Sequence, residues 1–121
     1  MKQFQDKVKK FNDIRGWTNE VEVKGMKDFL LNMCEEVGEA WSVIKWVDND
    51  KLKELIEKYK DSYEDFVGDQ LFLILKIANI AGIDSEKAIE RTLEDYKRRF
   101  PISEVKEKKH GNVLAGGVDN K

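Results

Sequence analysis

Two sets of carboxylates carry the chemical interest of this sequence. Glu35, Glu36 and Glu39 stand within FLLNMCEEVGEAWSVIKWV, residues 29–47, and Asp65 and Asp69 stand within DSYEDFVGDQLFLIL further along. On a helix the three glutamates fall on one side within about one and a half turns, where like charges cost a few tenths of a kcal/mol per pair. A solvated face tolerates that, and such a cluster alone is ordinary. Its company is not: Val43 and Trp46 project to the same side, which points to a pocket wall. Asp65 and Asp69 lie one turn apart and share a polar stripe with Lys76, within roughly 40° by the helical period. Apolar residues cover most of the rest of that helix's circumference. Isolated buried carboxylates are expensive unless they are paired or bind a metal. Lys76 can neutralise one of them, not five. If the two acidic faces meet, Glu35, Glu36, Glu39, Asp65 and Asp69 need a cation, because crowded carboxylates otherwise take up protons. All-carboxylate ligation selects a hard ion, Mg²⁺ or alternatively Mn²⁺, which keeps waters and binds phosphate oxygens.

The elements that must hold these groups are helices. Phe4, Val8, Phe11 and Ile14 predict a first helix over 2–15, closed by Gly16. TNEVEVKG at 18–25 reads as a linker with a weak strand-like alternation. The glutamate helix is predicted from about Met26 to Val47, with DND at 48–50 breaking it and a short helix following at about 51–59. A long helix over about Ser62 to Ala81 carries apolar residues round most of its circumference. Gly82 is placed to end it and Asp84 to cap a last helix over about Ser85–Arg99, which Pro101 stops. The resulting expectation is an all-α, four-helix-bundle-like domain over 1–101 with a flexible tail over 102–121. A helix apolar nearly all round needs more cover than so short a chain supplies, so a homodimer or homotetramer is expected to complete the bundle.

Bulk properties exclude several functions. A chain of 121 residues with 40% hydrophobic and 38% charged content fits one helix-rich domain. A formal net charge of −2 and the lack of a basic recognition face argue against nucleic acid as partner, and so against a helical transcription or antitoxin module. No apolar run reaches the length of a membrane span, and the N-terminus lacks a signal-peptide core. The single cysteine, Cys34, allows no intrachain disulfide and reads as a small core residue. A reducing, cytoplasmic setting is the expectation.

Taken as an ordered set, these motifs resemble the MazG-like nucleotide pyrophosphohydrolases of the all-α NTP pyrophosphatase superfamily, nearest its deoxycytidine-triphosphatase-like and phage-type branches. That family carries EExxE on one helix and ExxD on the next long one. Glu35, Glu36 and Glu39 match the first motif, and Asp69, in GD ahead of an apolar run, matches the aspartate of the second. FNDIRGW at 11–17, Trp46 and the closing AGID…YKRRF are similar as well. The pattern departs at Phe66, where the family has glutamate; Asp65, one turn from Asp69, is on the right face to substitute. It departs again at Leu93 and Asp95, where many members carry asparagine and lysine.

The resemblance implies Mg²⁺-dependent hydrolysis of a (deoxy)nucleoside triphosphate to a monophosphate and pyrophosphate. Glu36, Glu39 and Asp69 would then hold Mg²⁺, and Glu35 a second ion or the attacking water. Lys76 or the cluster Lys97, Arg98 and Arg99 would neutralise phosphate charge. Trp17 and Trp46 would wall a base pocket. The competing expectation is an impaired relative, a nucleotide-binding or self-associating bundle whose metal site is degraded by Phe66.

Overall fold

The computed structural model describes residues 1–17 and 23–121, and every element in them is helical. The helices are α1 (Lys2–Ile14), α2 (Val23–Ser42), α3 (Leu52–Lys58), α4 (Lys60–Ala81), α5 (Ser85–Arg99) and α6 (Ile102–Lys108), with 3₁₀ turns at Asn49–Lys51 and Val113–Ala115. The all-α expectation holds. The chain divides into two compact units, Met1–Ile83 and Asp84–Lys121.

The first unit is built on α4. Its residues Leu73, Leu75, Ala78 and Ile80 are buried. Helix α1 lies antiparallel to it: the Gln5 amide donates to the Ile83 carbonyl at 2.7 Å, the Asn79 amide donates to the Gln5 carbonyl at 3.2 Å, and Phe11 meets Phe72 edge-on. Helix α2 is antiparallel on another side of α4. Gln70 Nε2 donates to the Met33 carbonyl at 2.9 Å, and the Tyr63 hydroxyl donates to the Ala40 carbonyl at 3.0 Å. Gly82 closes α4 in the left-handed region at φ 67°, as its position suggested.

Helix α2 departs most from the expected pattern. It ends at Ser42 rather than near Val47. The Ser42 hydroxyl donates to the Glu39 carbonyl at 2.7 Å, an interaction that competes with helix propagation. The chain then tightens into i→i+3 turns, Ile44 to Trp41 and Val47 to Ile44. Its apolar residues are partly covered: Phe29, Met33 and Ala40 are half-buried while Leu30, Val37 and Trp41 are exposed. Cys34 is exposed rather than in the core. The proposed linker at 18–25 falls mostly outside the described residues, and its last three residues belong to α2.

In the second unit Asp84 caps α5, its carboxylate accepting from the Glu86 and Lys87 amides at 3.0 and 3.2 Å. The stretch 102–121, expected to be a flexible tail, carries α6 and folds back on α5. Arg99 donates to both carboxylate oxygens of Asp119, at 2.8 and 2.6 Å, and the Asn120 amide donates to the Arg99 carbonyl at 3.0 Å. Two glycines have packing roles there. A Cβ on Gly111 would meet the Phe100 ring at 2.6 Å, and one on Gly117 would collide with His110. Charge spacing and short polar words do not reveal this fold, because the pairing of Arg99 with Asp119 spans 20 residues.

Candidate functional site

Helices α2 and α4 meet around a cavity of about 370 Å³ lined by Glu36, Glu39, Ala40, Val43, Ser62, Tyr63, Asp65, Phe66 and Asp69. Antiparallel packing produces this convergence. The bond from Tyr63 to Ala40 at one end and that from Gln70 to Met33 further along fix the register that sets Glu36 and Glu39 opposite Asp65 and Asp69. Burial pushes the Glu36 carboxyl above its ordinary value, and the charges of Glu39, Asp69 and Glu35 push it further in the same direction. Asp69 therefore feels Glu36 across the two helices. Crowding of this kind is relieved by a proton or by a cation.

Glu35 does not line the cavity, although its charge reaches Glu36. Among the described residues, no three acidic, histidine or cysteine side chains converge tightly enough to enclose an ion by themselves. The donor set is nevertheless the one hard cations take: oxygen-only, carboxylate-rich and beside a space large enough for bound water. Phe66 lines the same cavity beside Asp65, so an apolar ring occupies part of the wall where the resemblance called for a carboxylate.

Lys76 is buried at 9% exposure, and burial lowers its pKa. Its ammonium lies over the Phe29 ring at 4.4 Å and the Trp17 ring at 5.6 Å. It is not in the cavity lining, and seven residues of α4 separate it from Asp69, about 10 Å along the helix axis. Trp17, half exposed and edge-on to Phe11, belongs with Lys76 rather than with the carboxylates. Trp46 does not form a wall: it follows the early end of α2 and is 87% exposed. Lys97, Arg98 and Arg99 are engaged within their own unit, by Glu94, by Asp95 and by Asp95 with Asp119 respectively. Lys97 and Arg98 remain largely exposed, at 72% and 61%, while Arg99 is mostly covered at 19%.

Sequence reasoning passed over Ser62 and Tyr63. Ser62 falls on the stripe of Asp65 and Asp69, at i, i+3 and i+7, and that spacing was available to find it. Tyr63 could not be found this way, because its role depends on a carbonyl of another helix.

The chain has the all-α fold of a solved pyrophosphatase from Archaeoglobus fulgidus DSM 4304. The two are 26% identical, with a TM-score of 0.66 over 82% of this chain and 90% of that one. No family model matches the sequence, and no curated protein does.

Proposed function

We propose that this chain is a divalent-cation-dependent nucleotide pyrophosphohydrolase, converting a (deoxy)nucleoside triphosphate to a monophosphate and pyrophosphate. The observation that carries this reading is the meeting of Glu36 and Glu39 with Asp65 and Asp69 at one cavity. The likeness to a pyrophosphatase fold supports hydrolysis of a phosphoanhydride as the reaction class. The EExxE-like order of the acidic residues favours the nucleotide over inorganic pyrophosphate.

Glu36, Glu39, Asp65 and Asp69 would hold Mg²⁺ or Mn²⁺, which when bound neutralises phosphate charge and polarises the attacked phosphorus. The chain's own part is to bind, orient and move a proton. A carboxylate of the α2 wall, Glu39 in the simplest assignment, takes a proton from the attacking water as the bond between the α and β phosphates breaks. Glu35, set just outside, adds negative charge that favours the cation. Tyr63 and Val43 border the cavity. Lys76 and Trp17 face each other outside the cavity lining, so a phosphate or base role for either requires the ammonium to leave the Trp17 ring.

Incubating the protein with a panel of NTPs and dNTPs in Mg²⁺ or Mn²⁺, and following pyrophosphate, tests the proposal. Absence of release with every nucleotide in both metals overturns it. Phe66 favours one other reading, a bundle that binds nucleotide without turning it over. In that case Mg²⁺ and nucleotide raise the melting temperature by mass action while no pyrophosphate appears.

A further inference from the structure

Lys76 carries a charge into the core of the first unit with no carboxylate to answer it. Burial alone lowers its pKa, and among the described residues no acidic side chain pairs with it. A buried charge is costly unless other contacts favour it. The contacts the structure gives are rings. Phe29 of α2 and Trp17, just beyond α1, both lie within the reach of about 6 Å over which a ring attracts a cation. We propose that Lys76 is a positioning residue, whose ammonium clamps the end of α1 and the start of α2 to α4 and so completes the register that sets the acidic cavity. The clamp stands apart from the catalytic reading; its effect on metal rests on that reading.

The register argument comes from three contacts along one seam. Helices α2 and α4 run antiparallel, with Tyr63 bonded to Ala40 and Gln70 bonded to Met33. Further along α4, Lys76 meets Phe29, one turn before Met33 on α2. Glu36 and Glu39 lie between Phe29 and Ala40, the outermost of the three points on α2. A helix held at three points along one side resists sliding and rolling, and the carboxylates it carries keep their place.

The same ammonium closes a circuit on the α1 side. The Trp17 ring is edge-on to Phe11, Phe11 is edge-on to Phe72, and Phe72 stands one turn before Lys76 on α4. Two residues of α4, four apart, thus hold two aromatic residues at the end of α1. The Trp17 amide donates to the Asn12 carbonyl at 2.9 Å, so the ring's placement carries the backbone of that turn with it. An aliphatic side chain at position 76 would fill space without attracting either ring face.

A double-mutant cycle on urea unfolding of the whole chain tests the clamp. Lys76→Leu and Trp17→Leu should each destabilise, and together fall short of additivity by about fivefold in the unfolding constant. Lys76→Arg, which keeps the charge, should keep most of the coupling to Trp17. Strict additivity overturns the clamp. Should Lys76→Leu lose its helical circular dichroism, Lys76→Met, which fills more of the space, takes its place in the cycle.

The metal response separates positioning from chemistry. On the proposed function, Lys76→Leu should raise the Mg²⁺ concentration for half-maximal pyrophosphate release several-fold, with kcat at saturating Mg²⁺ within about twofold of wild type. A fall in kcat of about a hundredfold at an unchanged metal requirement would place Lys76 at the reacting atoms and overturn the positioning role. If the wild type releases no pyrophosphate, the functional reading fails alone, and the cycle still decides the clamp.

Discussion

The Tyr63 hydroxyl donates to the Ala40 carbonyl at 3.0 Å, and both residues line the cavity that holds Glu36, Glu39, Asp65 and Asp69. One hydrogen bond thus joins the two acidic helices at the point where their spacing matters to a bound ion. Tyr63→Phe keeps the ring and removes the bond. It should cost about 1 kcal/mol of stability, read as a lower midpoint in urea with an unchanged slope. It should also lower the apparent Mg²⁺ affinity, measured as the metal concentration giving half-maximal turnover. An unaltered metal response would show that register is held by packing alone.

Phe66→Glu restores a carboxylate at the position where Asp65 is expected to substitute. If Asp65 is a shortened stand-in, turnover in Mg²⁺ should rise several-fold or more. A fall in turnover would mean that Asp65 already fills the role and that a fifth carboxylate crowds the site. Pyrophosphate release by wild type and variant at matched metal concentration decides between the two.

Glu39→Gln removes the charge and the proton acceptor with almost no change of volume. Turnover should drop by about 10² or more, while the far-ultraviolet circular dichroism stays the same. Retention of full activity would place the base elsewhere.

The raised pKa of Glu36 sets a pH dependence. A carboxyl whose folded-state pKa lies above its unfolded value stabilises the fold when protonated, and that contribution disappears as pH rises through the folded value. Above that value the site is charged, crowded and ready for a cation. The melting-temperature gain from Mg²⁺ should therefore be small near pH 4.5 and larger near pH 7. Glu36→Gln should flatten this dependence.

Asp119 provides the opposite sign in the second unit. Hydrogen bonds from Arg99 hold its carboxyl below the usual range, so its stabilising effect is present above the unfolded pKa and is lost as pH falls through the folded one. Asp119→Asn should lower the melting temperature at pH 7 and lose that difference in strong acid. A variant equally weakened at both pH values would point to packing rather than charge.

The helical core was legible because its signals are local. Gly82 and Asp84 mark their helix ends by backbone preference and side-chain capping, and both do so here. The acidic faces could be read for a similar reason: residues one turn apart share a side whatever surrounds them. What could not be read depended on distant partners or on close competition. The end of α2 turns on whether Ser42 bonds to Glu39, a choice that helical periodicity does not register, and it carries Trp46 out of the site. The pairing of Arg99 depends on Asp119, which only the folded chain brings beside it.

The lining of the α2–α4 cavity has a consequence for the order of arrival. A nucleoside triphosphate is strongly anionic, and in the absence of metal it meets a wall of carboxylates and is repelled. On the proposed function, the cation therefore enters before the nucleotide or together with it. Nucleotide in excess of metal would remain largely unbound, so the site would respond to the metal–nucleotide complex, and the supply of free divalent ion would set when it can work.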